Sequence, residues 1–368
     1  MDAPTIHARD AAIRVVVPAF QARGTIGDCV RGILRSEVSC GYEVVVVDDG
    51  ANGDVGAILL GLPVRVVMTG VSGSAAVARN AGAAGFAGTF LVFVDSDVLV
   101  EPDCIQQLVQ PLAEGRAEAT VGSYSSDVRG LSFAMRYKQL YVARIYSRRA
   151  GYVRNDFWTA ACAINGSVFA ALGGFDASFR GACGEDAELG CRLSRAGGRI
   201  LAVPEAIGHH RHPLSLIGLF ANDWRKGLVA IANYSRSGGP ISDNRHATVR
   251  DMVSVLFATI LAALLLASAF VASGMVAAGA VATPVAAVFG LYTLARADIV
   301  AVFLSEGLSF AAAAFLVMVA LDWLRLACVT VGTARRLFDT NCRNRTIPPY
   351  AYREMSKGLG EGAHVPYS

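Results

Sequence analysis

The chain has 368 residues, 54% of them hydrophobic and only 17% charged, with a formal net charge of +3. Ordinary soluble domains carry roughly a quarter charged residues. A disordered chain is therefore excluded, a nucleic-acid binder driven by bulk charge is disfavoured, and the length asks for about two to three structural units.

Asp2, His7, Arg9 and Asp10 stand where a signal peptide needs an apolar stretch, so the start of the chain is expected on the cytoplasmic side. Residues 13–17 and 43–47 are mostly β-branched runs, as strands buried on both faces require. Between them, 25–36 has helical spacing, with Thr25 as a cap and Ile26, Val30, Ile33 and Leu34 on one face. Residues 64–68 and 90–94 repeat the strand pattern around a small-residue helix at 75–85. This βαβ series predicts an α/β fold with a mostly parallel sheet flanked by helices, and ligands on such sheets bind beyond the carboxyl ends of the strands.

Pro18-Ala19-Phe20 follows the first strand, Asp48-Asp49-Gly50 the second and Asp95-Ser96-Asp97 the fourth. An acidic pair after a strand is usually a turn or a cap. Two such pairs on one sheet edge repel each other unless a cation or hydrogen-bond donors sit among them. Asp95-x-Asp97 is too sparse for a calcium cage and suits Mg²⁺ or Mn²⁺, which complete their shell with water and phosphate oxygens. The segment 70–82, with Arg79 able to meet a phosphate or a base, lacks both the Walker A ending and a G-x-G-x-x-G fingerprint. The eight cysteines include no C-x-x-C pair and no zinc spacing with histidine, so they read as reduced, buried small residues.

The ordered set Val-Val-Pro-Ala-Phe, Val-Val-Asp-Asp-Gly, Ala-Arg-Asn-Ala-Gly and Val-Asp-Ser-Asp resembles the family 2 glycosyltransferases of GT-A (Rossmann-like) fold. The resemblance continues through Gly173-Gly174-Phe175-Asp176, Gly184-Glu185-Asp186-Ala187-Glu188-Leu189 and Arg192-Leu193, and spans about residues 12–230. It implies a UDP- or GDP-linked sugar held at Pro18, Ala19, Asp48, Asp49, Arg79 and Asp95, and a metal ligated by Asp97. It also implies a hexosyltransferase-type inverting reaction, with Asp186 of the Glu185-Asp186 pair as base. His210 matches the histidine that can join the metal, although His209 and His212 are close enough in sequence to be confused with it. Asp186 also sits where acids complement a helix dipole, which is the plainer account of a single carboxylate there. The residue types agree with the chemistry on their own terms, because a leaving diphosphate needs a cation and an attacking hydroxyl needs a base.

Residues 131–155 interleave Arg136, Lys138, Arg144, Arg148, Arg149 and Arg154 with aromatic and aliphatic side chains. This reads either as a membrane-surface segment or as a soluble helix with a solvated basic face. A catalytic Asp186 favours a hydroxyl acceptor, lipid or lipid-linked, over a polyprenyl phosphate, which needs no base. The Gln-x-x-Arg-Trp pattern of processive synthases is missing; the nearest stretch is Asn222-Asp223-Trp224-Arg225-Lys226, so single-sugar transfer is expected, with Trp224 and Arg225 in the acceptor region or simply packed. A membrane-bound subunit that binds sugar nucleotides without turnover is the non-enzymatic alternative.

Residues 252–295 contain no charged side chain, and 307–333 is apolar apart from Asp322 and Arg325, three apart on one helical face. Gly274 or Thr283-Pro284 could turn the chain between the first two helices. Two to four spans are expected, about three by hydropathy, although the basic residues after 334 favour an even number. The organisation predicted is a tail at 1–11, a nucleotide-sugar-binding half at 12–120, an acceptor half at 121–250, transmembrane helices at 251–334 and a basic tail at 335–368. The whole is a multi-pass protein of the inner or plasma membrane, with its catalytic domain cytoplasmic.

Overall fold

The computed structural model describes residues 12–50, 54–70, 73–147, 151–179, 181–182, 184–211, 213–237, 249–272 and 278–338. Among them, 12–124 and 151–211 form one compact unit, and 125–147 with 213–338 form a second.

The first unit alternates strands and helices: β1 (Ile13–Ala19), α1 (Ile26–Ile33), β2 (Tyr42–Asp48), α2 (Asp54–Ile58), β3 (Arg65–Met68), α3 (Ala75–Ala83), β4 (Phe90–Val94), β5 (Val98–Val100), α4 (Cys104–Ala113) and β6 (Ala119–Tyr124). After α5 (Phe133–Ser147), which belongs to the second unit, come β7 (Gly151–Val153), β8 (Ala161–Asn165), α6 (Gly166–Ala171), α7 (Glu185–Arg195) and β9 (Ile200–His210). The sheet order is β3-β2-β1-β4-β8-β6-β9-β5, with β7 also pairing β9. The expected parallel run holds from β3 to β4; β1, β2 and β4 are largely buried, whereas β3 at the edge is mostly exposed. It ends at β8, which pairs antiparallel with both β4 and β6, so the sheet as a whole is mixed. The core on one face joins Val16, Val45, Val47, Phe93, Phe169 and Phe175 to Leu189 and Leu193 of α7.

Helix α3 is made of small residues because it lies against the sheet. A Cβ on Gly82 would stand 2.4 Å from Val16 Cγ1 and 2.9 Å from Val47 Cγ2. That close approach brings the polar side chains of α3 down to the level of the strand ends.

The second unit comprises α5, α8 (Leu216–Ser237), α9 (Val249–Ala272), α10 (Ala278–Ala295), α11 (Ala297–Ser305) and α12 (Leu308–Phe338). Helix α5 does not offer its described basic side chains as a free surface. Arg136 pairs with Glu306 at 2.5 Å and lies 4.4 Å over Phe310, while Arg144 pairs with Asp298 at 3.3 Å. Tyr137 and Leu140 enter the apolar core with Ile299, Phe303 and Met318. The acids of α11 and of its C-terminal end thus account for Arg136 and Arg144; Arg148 and Arg149 lie outside the described residues.

Of the two to four spans expected, the described residues supply one or two candidates. By length and composition, one described helix can cross a membrane, Leu308–Ala334 within α12, and a second only if α10 and α11, bent by 78°, act as one. The apolar part of α9 runs only from Asp251 to Leu266, short of the roughly 20 residues a span needs. About three crossings are therefore not supported among the described residues. Pro284 lies inside α10 rather than at a turn, and Gly274 lies outside the described residues. Outward-facing side chains of this unit are nonetheless apolar: Leu266, Leu294 and Leu316 are each at least 70% exposed.

One cluster of charges in this unit is gathered inside. Arg296 is 1% exposed, bonds Asp251, and holds Asp322 at 3.0 and 3.1 Å; Tyr292 donates to Asp322 at 2.8 Å. Arg325 closes the cluster, bonding Asp322 at 2.7 Å and Asp223 at 3.0 Å. Removing the charge of one partner in a buried pair strands the other, so Asp322→Asn and Asp322→Ala should each destabilise this unit by about 3–5 kcal/mol, Ala the more because it also removes the acceptor for Tyr292. Unfolding in detergent followed by circular dichroism checks the ranking.

Candidate active site at the carboxyl edge of the sheet

Four segments from the sequence reading meet beyond the ends of β1, β2 and β4. Ala19 pairs in register with Asp48, and the Asp49 amide donates to the Ala19 carbonyl at 2.9 Å, so the Pro18-Ala19 and Asp48-Asp49 ends are neighbours. Asp48 accepts from the Gly50 amide at 2.9 Å, closing its own turn. Asp49 is 3% exposed and accepts from Thr69 Oγ1 at 2.7 Å and from the Gly73 and Ser74 amides at 2.8 Å each. A carboxylate has about four acceptor positions, and three of Asp49's are spent on shaping the turn that leads into α3. Ser74 then caps α3 and donates its hydroxyl to the Phe179 carbonyl at 3.0 Å.

Arg79 has a different neighbourhood from the phosphate or base expected of it. It is 2% exposed; Nη1 donates to Glu185 Oε1 at 2.6 Å and Nη2 to Asp95 Oδ1 at 2.8 Å. The guanidinium also lies 5.5 Å from the Phe175 ring centre. Burial alone would lower its pKa, but Asp95 and Glu185 outweigh burial and raise it, so it is a permanent cation. Asp95 is balanced more finely. Burial pushes its carboxyl up, Arg79 works against that, and Asp97 adds to it, leaving a raised pKa.

Asn80 explains why the Ala-Arg-Asn-Ala-Gly and Gly-Gly-Phe-Asp runs travel together. Its amide nitrogen donates to the Phe175 carbonyl at 2.8 Å, and its oxygen accepts the Phe175 amide at 2.9 Å. Arg192 does the same for the end of α6, donating to the Leu172 and Gly174 carbonyls at 2.6 and 2.8 Å while paired with Glu188.

Helix α7 begins after Gly184, whose φ of +87° only glycine adopts without strain. That turn brings Glu185 inward, 2% exposed, and leaves Asp186 half-buried beside it. Of the two carboxylates, Glu185 is committed to Arg79 and Asp186 is the one at the surface of the site.

The histidines separate because β9 is a strand and successive side chains face opposite ways. β5 and β9 are antiparallel, with Val98 opposite His210 and Leu99 opposite His209. His210 Nε2 thereby faces Asp97 Oδ2 at 3.4 Å, whereas His209 Nε2 bonds Glu101 at 2.5 Å. His212 lies outside the described residues. Among the described residues no group of three His, Cys, Asp or Glu side chains forms a metal cage. A carboxylate oxygen and an imidazole nitrogen converging beyond good hydrogen-bond distance fit a divalent ion that takes its other ligands from phosphate and water. Sequence reasoning missed Tyr124 and Trp158, whose rings meet edge-on at 4.5 Å with Tyr124 also 5.4 Å from His210. No spacing rule flags them, because they come from different strand connections. Trp224 and Arg225 belong to α8 in the helical unit: Trp224 is half-buried, and Arg225 is exposed and bonds Asn222 at 3.3 Å.

Comparison with known proteins gives the lineage of this edge. The family described as glycosyltransferase like family 2 matches residues 10–227, more than half of the chain. The chain belongs to that family. Its relatives include a glycosyltransferase GlyG of Streptococcus pneumoniae, 31% identical over 38% of this chain and 50% of its own length. A pre-mycofactocin glycosyltransferase of Mycobacterium tuberculosis is 26% identical over 66% of this chain and 51% of its own length. The chain thus spans about half the length of these curated relatives. Among solved structures, a mannosyltransferase of Pyrobaculum calidifontis shares the fold with a TM-score of 0.52 and 16% identity, over 89% of this chain and 88% of its own. The GT-A fold expected from the motifs is the fold observed.

The bonds of Asp49 predict how it tolerates change. Asp49→Ala leaves the Gly73 and Ser74 amides without their acceptor and should cost roughly 1–3 kcal/mol. Asp49→Asn should cost far less, since an amide can accept from both amides and donate to Thr69. Urea unfolding of the two variants distinguishes them.

Proposed function

We propose that this chain transfers a single sugar from a nucleoside diphosphate sugar to a hydroxyl, with inversion at the anomeric carbon and Asp186 as the base. The observation that carries this reading is the edge itself: the Asp97–His210 pair at the ends of β4, β5 and β9, and Asp186 at the N-terminus of α7, which Arg79 ties to Asp95. The family supports a nucleotide-sugar donor, and the P. calidifontis enzyme of the same fold binds GDP-mannose and Mn²⁺.

Each step follows from the residues present. The ends of β1 and β2, with the turn held by Asp49, receive the nucleoside. Asp97 and His210 would hold a divalent ion, which supplies positive charge against the leaving diphosphate. Asp186 takes the acceptor's proton as its oxygen attacks the anomeric carbon on the face opposite the leaving group. Asp186 accepts the Ala187 amide at 2.7 Å, which orients its carboxylate at the start of α7. Glu185, buried against Arg79, is not placed to share that role.

The acceptor is a hydroxyl because a polyprenyl phosphate needs no base. The apolar outer face of the helical unit and the candidate span in α12 support a lipid or lipid-linked acceptor. The test is sugar transfer by the detergent-purified chain with Asp186→Asn beside it. Transfer should fall about 10²–10⁴-fold, the range of general-base catalysis, with nucleotide binding preserved. Proton NMR should show the opposite anomer in the product. Indifference to Asp186→Asn would instead favour a phosphate acceptor.

A further inference from the structure

We infer that Arg79 is a positioning residue that couples the donor edge to the base: gripped by Asp95 at the end of β4 and by Glu185 on α7, it fixes the first turn of α7 and hence Asp186. This rests on the transfer reaction proposed above and assigns a role to a residue that neither touches donor nor moves a proton.

Three observations support it. First, the guanidinium is 2% exposed and both Nη atoms are engaged, at 2.6 Å and 2.8 Å. To reach a phosphate or a base it would have to abandon two carboxylates, one of them buried. Second, Glu185 is itself 2% exposed, and its second oxygen, Oε2, has no hydrogen-bond partner. Among the described residues Arg79 is thus the cation that holds this carboxylate, and breaking the pair leaves a buried charge uncompensated. Because Glu185 and Asp186 are consecutive on α7, the geometry of the one is passed to the other. Third, a second link runs alongside. The Gly181 amide donates to the Gly73 carbonyl at 2.7 Å and Ser74 forms an isolated bridge with Gly181, so the turn held by Asp49 is stitched to the chain just ahead of α7. Donor-side and base-side segments are thus joined both by a backbone bridge and by a buried cation.

Arginine suits this task and lysine does not. A planar fork meets two carboxylates at fixed angles, whereas an ammonium is a point charge on a flexible stem. Arg79→Lys preserves the charge that burial demands while removing the two-pronged grip.

The test uses the full chain in detergent with Mn²⁺ and two donors, UDP-glucose and GDP-mannose, with water as acceptor. Release of the nucleoside diphosphate gives kcat, titration with UDP or GDP gives Kd, and a melting curve reports folding. Arg79→Lys is expected to lower kcat roughly 10–100-fold while Kd changes by less than about 3-fold, the signature of a group that acts on the reaction rather than on binding. Glu185→Gln should give a similar split, and the double variant should be no slower than the slower single, since the two act as one unit. A Kd weakened tenfold in Arg79→Lys makes it a donor ligand and overturns the inference, as does a wild-type kcat. Should Arg79→Lys fail to fold, Glu185→Gln decides. A kcat as low as that of Asp186→Asn would make Glu185 the base, and a wild-type kcat would make it irrelevant; either result overturns the inference. A wild-type chain that turns over neither donor is a failure of the transfer reaction itself, whereas an active wild type with any contrary variant result is a failure of the positioning role alone.

Discussion

Burying like charges together is the constraint on which the first unit depends. Asp95, Asp97, Glu185 and Asp186 come to one edge of a sheet whose strands are otherwise valine, isoleucine and phenylalanine. Carboxylates in such a place repel one another and lose their hydration, so something must compensate from inside. The compensation comes from below the site, from a helix with hardly any side chains of its own. Because α3 is small enough to lie on Val16 and Val47, Arg79 can enter at the level of the strand ends and meet both Asp95 and Glu185. Arg79, the end of β4 and the start of α7 are therefore parts of one electrostatic object.

The helical unit solves the same problem with the same residue. Arg296 and Arg325 sit among Asp223, Asp251 and Asp322 with Tyr292 as an additional donor, and the result ties α8, α9, α10 and α12 together inside an apolar bundle. In a bundle whose exposed faces are leucine, apolar contacts alone specify the arrangement of helices loosely. A satisfied polar cluster has far fewer ways to form. The inward placement of these charges is also what frees the outer surface to be apolar.

Much of the first unit was legible in the sequence, for reasons that can be named. Buried parallel strands are continuous runs of β-branched residues, so β1, β2, β3 and β4 stand out, and chemistry on such sheets gathers where those runs end. The later strands β6, β8 and β9 carry alanine, glycine and proline within them and have no such signature. The return of the chain through β8, which turns the sheet from parallel to mixed, is consequently invisible. The identity of the site residues was clearer than their work. Asp49 and Arg79 read as ligand contacts because they are polar residues in motifs beside strand ends. In the structure they also hold a turn and a pair of carboxylates. A signal for Arg79 was present, since an arginine on a small-residue helix that must lie on a sheet can be buried only if it is paired. The three histidines could not be separated by spacing, and strand alternation at β9 separates two of them at once. The expected spans outnumber the candidates among the described residues because a run without charges measures apolar length and not helix length: the bend between α10 and α11 divides one such run.

The claim that this edge binds a nucleoside diphosphate through a metal on Asp97 is tested most directly by isothermal titration of the detergent-purified chain. UDP and GDP are titrated in Mn²⁺, in EDTA, and in Mn²⁺ with Asp97→Ala. Binding of one nucleotide that needs both the ion and the Asp97 carboxylate is the result predicted, and it also names the base. Absence of binding by either nucleotide under every condition, in a chain shown to be folded, would contradict the account.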